Sequence, residues 1–104
     1  MYYTVGQNKA GDYTWWLYAA NNELVAWAGE AFASPYNAQR AAASFKAGAS
    51  TARYEVYTDG ANEWRWRAWR SSDKVAASGE SFSSKIAATS AAENVRLNAG
   101  SAAL

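Results

Sequence analysis

Between residues 53 and 70 the chain alternates with a period of two, first in Arg53-Tyr54-Glu55-Val56-Tyr57 and again in Glu63-Trp64-Arg65-Trp66-Arg67-Ala68-Trp69-Arg70. That period, enriched in aromatic and β-branched residues, predicts two strands. Asp59-Gly60-Ala61-Asn62 between them is turn chemistry, because these residues tolerate positive φ or cap a bend. A third strand is expected near Lys74 to Ser78, ended by Gly79. The period then changes. Ala88, Ala92, Val95 and Ala99 fall at i, i+4, i+7 and i+11, one face of a helix. Ser83-Ser84-Lys85 opens that helix with a hydroxyl for an orphan N–H, and Gly100 is read as its stop.

The first half repeats this pattern. Tyr3 meets Tyr54, Val5 meets Val56, Tyr13 meets Trp64 and Trp15 meets Trp66 at an offset of 51. From Val25 and Val75 onward the offset is 50, which aligns Gly29-Glu30-Ala31-Phe32 with Gly79-Glu80-Ser81-Phe82. One residue is therefore missing between Ala19-Ala20-Asn21-Asn22 and Arg70-Ser71-Ser72, and a deletion is tolerated best in a hairpin loop. Ser34-Pro35 opens the first helix, Ala38, Ala42, Phe45 and Ala49 repeat its buried face, and Gly48 is read as a stop. Two copies make a pseudo-symmetric domain, since an open solenoid needs three or more. The expectation is one domain over 1–104, with repeats at 1–50 and 51–104.

A chain of 104 residues can bury about 65% of its unfolded surface. Many of its apolar residues are alanine, so the bulk of the core must come from six tryptophans, seven tyrosines and three phenylalanines. Small residues on the helix stripes let the helices sit close on a sheet carrying those aromatics. No stretch approaches the ~18 apolar residues of a membrane span, and Met1-Tyr2-Tyr3-Thr4 lacks the basic start of a secretory signal. Without cysteine there is no disulfide framework, thiol nucleophile or thiolate metal site. These features fit a cytoplasmic protein.

The Trp66-Arg67 strand, the acidic turn, Gly79-Glu80-Ser81-Phe82-Ser83-Ser84-Lys85 and the alanine-striped helix ending near Asn98-Ala99 resemble the YegP-like proteins. The resemblance covers nearly the whole chain and is closer in the second half. In the first, Pro35 stands where a lysine is usual and Trp16 where an arginine is usual. It implies an α+β fold: two tandem β-β-β-α(-β) repeats sharing one antiparallel sheet, helices on one face, last short strands exchanged. It implies no activity, cofactor or catalytic residue, because this is a family of unknown function.

Strand parity separates core from surface. Tyr3, Val5, Tyr13, Trp15 and Leu17 share parity with Tyr54, Val56, Trp64, Trp66 and Ala68, and both sets are apolar, hence helix-facing. The opposite parity holds Thr14, Trp16 and Tyr18 in one half and Arg65, Arg67 and Trp69 in the other. Either these side chains cover each other, with arginine over aromatic rings, or they form a contact surface. Trp16, Tyr18, Arg65, Arg67 and Trp69 are the candidate binding residues.

Candidate chemistry is sparse. Histidine and cysteine are absent, which removes the usual bases and nucleophiles near neutral pH. The nine carboxylates show no metal-loop spacing and no paired acid and base, so neither enzyme nor metal site is expected. Glu30 and Glu80 recur at equivalent positions, where the expected role is to cap backbone or pair with a cation. Arginines interleaved with aromatics could bind single-stranded nucleic acid. However, the second half carries only one net positive charge and the first half none. The reading favoured is a non-catalytic interaction module with a protein partner, monomeric with internal pseudo-symmetry; nucleic acid is the alternative.

Overall fold

A computed structural model describes residues 1–104. The elements are β1 (Tyr2–Gln7), β2 (Tyr13–Tyr18), β3 (Leu24–Trp27), α1 (Pro35–Gly48), β4 (Arg53–Thr58), β5 (Trp64–Arg70), β6 (Asp73–Ser78) and α2 (Lys85–Asn98), followed by a short 3-10 turn. The fold is α+β, with one antiparallel six-stranded sheet in the order β1-β2-β3-β6-β5-β4. No helix is long and apolar enough to cross a membrane.

The turns form where polar side chains replace missing backbone partners. Asn8 Oδ1 accepts from the N–H groups of Ala10 and Asp12, and Asp59 Oδ1 does the same for Ala61 and Glu63. Each turn then closes through a residue at positive φ, Gly11 or Asn62. The hairpin between Tyr18 and Leu24 is longer than that between Arg70 and Asp73, where the sequence places its one-residue deletion. Both helices begin at a serine whose hydroxyl accepts a backbone N–H, Ser34 from Asn37 and Ser84 from Ala87.

Alternation places the core as the parity argument requires. Trp15, Leu17, Trp66 and Ala68 are fully buried beneath the helix stripes Ala38-Ala42-Phe45-Ala49 and Ala88-Ala92-Val95-Ala99, all buried as well. Trp15 stacks on Phe45 at 5.2 Å and meets Tyr3 edge-on at 5.7 Å. Trp66 lies 5.6 Å from the Tyr54 ring, and its indole Nε1 is buried without a hydrogen-bond partner. Burial pushes the Tyr3 hydroxyl well above its ordinary range and that of Tyr54 up to about 12. Both nevertheless donate to helix-end carbonyls. Tyr3 reaches Ala99 at the end of α2, and Tyr54 reaches Ala49 at the end of α1.

Three expectations need correction. Thr14 has outward parity but is buried, because the Glu30–Phe32 segment runs beside β2; Phe32 bridges Tyr13 and the Thr14 hydroxyl donates to the Glu30 carbonyl. Gly48 and Gly100 are not left-handed stops. Gly48 is the last residue of α1, and a Cβ there would overlap the Arg70 guanidinium, which bonds Ser44 Oγ and O at 2.7 and 2.9 Å. Gly100 lies inside the 3-10 turn. The terminal strands are not handed over reciprocally either. Ala103 forms a parallel bridge to Tyr2 at the β1 edge, whereas the segment after α1 runs directly into β4.

The two glycines of the repeated Gly-Glu-x-Phe motif have different reasons to be glycine. Gly29 sits at φ +78, while a Cβ on Gly79 would come within 2.5 Å of the Leu24 carbonyl oxygen. That obstacle is backbone and cannot swing aside. Gly79→Ala is therefore expected to cost about 1–3 kcal/mol by overpacking the β3–β6 seam, measurable by urea unfolding.

Candidate functional site

Both helices pack on the face carrying Trp15 and Trp66, and no further element remains to cover the other. The registers give that open face one row across all six strands: Thr4, Trp16, Trp27, Ala77, Arg67 and Glu55. An antiparallel sheet tolerates such a half-open arrangement because its backbone groups are already paired.

On the β4–β5 side, Glu55 organises the surface. One carboxylate oxygen accepts from Arg67 Nε at 2.6 Å and from Trp69 Nε1 at 3.1 Å. The Arg67 guanidinium is thereby held over the Tyr57 ring at 4.2 Å and near the Trp69 ring at 5.5 Å, while Arg53 lies 5.8 Å from the Trp69 ring. Arg65 turns away to Asp59 at 2.8 Å, beside the β4–β5 turn. The Arg67 and Trp69 hydrogen bonds hold the Glu55 carboxyl below its ordinary range, and Arg65 with the Ala61 and Glu63 N–H groups does so for Asp59. A depressed folded value means these contacts favour the native state above the ordinary carboxylate range and lose that contribution as pH falls through the folded value. The Trp69 indole N–H resonance is expected to titrate with Glu55, with a midpoint below that of an ordinary glutamate, and NMR across acidic pH reads it directly.

On the β1–β2 side there is no such charge. Tyr18 stacks on Tyr2 at 5.4 Å, and Trp16 lies opposite Trp27 with its ring edge over Gly6. All five candidates thus occupy one face, but in two clusters separated by β3 and β6, roughly 14 Å at ordinary strand spacing. Arg67 and Trp69 are in mutual contact; Trp16 and Tyr18 sit on the far side; Arg65 is peripheral. All five are half-buried, so neighbouring side chains cover much of this face. The parity argument overlooked Glu55, Tyr57 and Trp27. Glu55 and Tyr57 shared outward parity on their strand and were legible, whereas the partner of Trp27 depended on a bulge between Leu17 and Tyr18.

The repeated glutamates do not find the expected cations. Glu80 lies against the Glu23 carboxyl, and hydrogen bonding between the two raises its pKa. Glu30 forms no ion pair and borders a recess with Asp73 and Lys74. No group of three or more metal-ligating side chains is present. The most exposed large apolar residues are on the helix side and at the terminus: Tyr36, Ile86, Leu97 and Leu104.

Residues 8–55 match the model of a domain of unknown function, DUF1508, a span running from the end of β1 into β4. No curated protein matches the chain. Among solved structures, the E. coli protein yegP, described as of unknown function, aligns with a TM-score of 0.81 at 16% identity, covering 98% of this chain and 88% of its own. The UPF0339 protein of Shewanella oneidensis aligns with a TM-score of 0.79 at 17% identity, covering 95% of this chain and 84% of its own. At such identities these two establish the fold alone. The chain is YegP-like, with a DUF1508 domain at residues 8–55 and the fold of the UPF0339 and YegP structures, as the Trp66-Arg67 strand and the Gly-Glu-x-Phe motif implied.

Proposed function

We propose that this protein is a non-catalytic, monomeric interaction module that docks a protein partner on its open sheet face. The observation carrying this reading is the Glu55-centred cluster, in which Arg67, Trp69 and Tyr57 are preset in one geometry on a face no helix covers. Trp, Tyr and Arg dominate binding hot spots, and side chains already held in place lose little entropy on docking. The charges favour a protein over a polyanion, because Arg67 and Arg65 are each paired with a carboxylate. Backbone-driven nucleic-acid binding needs unpaired cations in excess.

We also read the halves as tandem repeats about a pseudo-two-fold axis between β3 and β6. The mirrored strand order and the reciprocal Tyr3–Ala99 and Tyr54–Ala49 bonds support this.

The test is chemical-shift mapping with proteins captured from native lysate and, separately, with a short single-stranded DNA at low and high salt. Shifts confined to Trp16, Trp27, Tyr57, Arg67 and Trp69 are expected with the protein partner, and their loss in the Arg67→Ala, Trp69→Ala variant with unchanged core resonances. Shifts restricted to the helices around Ile86 and Leu97 would remove the reading. A salt-sensitive response to DNA on the same face would replace it with the nucleic-acid alternative.

A further inference from the structure

A recess of about 280 Å³ opens where α1 meets the start of β6. Phe32, Ala41 and Val75 contribute to its apolar lining with the fully buried Trp15 behind them, and Glu30, Asp73 and Lys74 border it. Opposite charges that border one opening have the opportunity to pair. Here Lys74 comes within 4.0 Å of neither carboxylate, and the three ion pairs of the molecule all lie elsewhere. Lys74 instead extends across Gly29, where a Cβ would come within 3.0 Å of its Cε. Both signs of charge therefore stand unpaired around one aromatic lining.

We propose that this recess binds a small zwitterion, an α-amino acid with an apolar side chain. Lys74 would take the ligand carboxylate, Glu30 and Asp73 its ammonium group, and Phe32 and Val75 the side chain. Charge-assisted hydrogen bonds are the strong kind, and because these three side chains are exposed each contact is expected to contribute modestly. The volume falls just below the ~300–1,000 Å³ of sites for drug-sized molecules, which limits the ligand to about amino-acid size.

The other half supplies an internal control. A recess of about 190 Å³ between α2 and the start of β3 is built from residues fifty positions away, including Glu80, Phe82 and Glu23, but Leu24 stands where the first has Lys74. Its lining contains no cation, so it has nothing to hold a carboxylate.

The experiment is an NMR titration of the full chain with L-leucine, and in parallel with leucinamide, which lacks the carboxylate, and N-acetyl-leucine, which lacks the ammonium. Saturable shifts are expected at Glu30–Phe32, Asp73–Val75 and the Trp15 indole, with Glu80–Phe82 silent. Both analogues, and L-leucine on the Lys74→Leu variant, should bind about tenfold more weakly or worse, the loss of one charged contact. Lys74 is exposed, so the variant should keep its core resonances. The proposal fails if L-leucine gives no saturable shift up to about 10 mM. It fails equally if leucinamide or N-acetyl-leucine binds as well as leucine, if Lys74→Leu binds unchanged, or if the Glu80–Phe82 recess responds alike.

Discussion

Trp66→Ala is expected to remove about 3–5 kcal/mol of stability, close to everything a domain of this size possesses. Trp66 is fully buried in one core with Ala68, Ala92 and Val95, and α2 is too alanine-rich to refill the space its ring leaves. Trp66→Phe should cost far less. It keeps an aromatic ring and also deletes the buried Nε1–H, which has no acceptor and itself carries a penalty of about 1–3 kcal/mol. Trp69→Ala, three residues along the same strand, should cost about 1 kcal/mol or less, because it surrenders a half-exposed ring and one hydrogen bond to Glu55. Denaturant unfolding of the three variants separates these outcomes. Similar losses for Trp66→Ala and Trp69→Ala would overturn the assignment of strand faces.

Residues 1–50 alone are expected to be unfolded, or to fold only as a dimer. Cutting there exposes the edge of β3 that β6 covers through Ala26–Ser78 and Trp27–Ala77. It also strips Tyr3 of the Ala99 carbonyl and β1 of its bridge to Ala103. Lys46 loses the Gly100 and Ala102 carbonyls, and Ser44 loses Arg70. What remains between α1 and its strands is Tyr3, Trp15, Leu17 and Phe45 with alanine around them, too little apolar surface to balance the ordering of fifty residues. Circular dichroism and sedimentation of the fragment decide. A monomer with a sharp thermal transition would show that each half folds alone.

Comparing the two halves of the sequence made much of this legible. Positions that stayed apolar in both halves, such as Trp15 with Trp66 and Leu17 with Ala68, are buried, because a one-residue slip in a strand would send every side chain to the wrong face. Ser34 and Ser84 were readable as caps for a similarly local reason: the N–H they satisfy lies three residues away. The candidate face was read only in part. Parity put Arg67 and Trp69 outward, but Glu55, which joins them, is twelve and fourteen residues distant and came into reach through the β4–β5 register. Gly48 was misread because it is still part of α1, and the group packed beside it is the guanidinium of Arg70, a residue of the other half.

The sequence by itself therefore determined the elements, their buried faces, the turns and the helix starts, since each depends on interactions within a few residues or on a strand's period of two. Only the tertiary structure decided which charges meet. Arg67 found Glu55, Glu80 found another carboxylate in Glu23, and Lys74 found none, although all three are exposed or half-exposed charged side chains. The Coulomb interaction acts between positions in space, and those positions were set by the strand order and register.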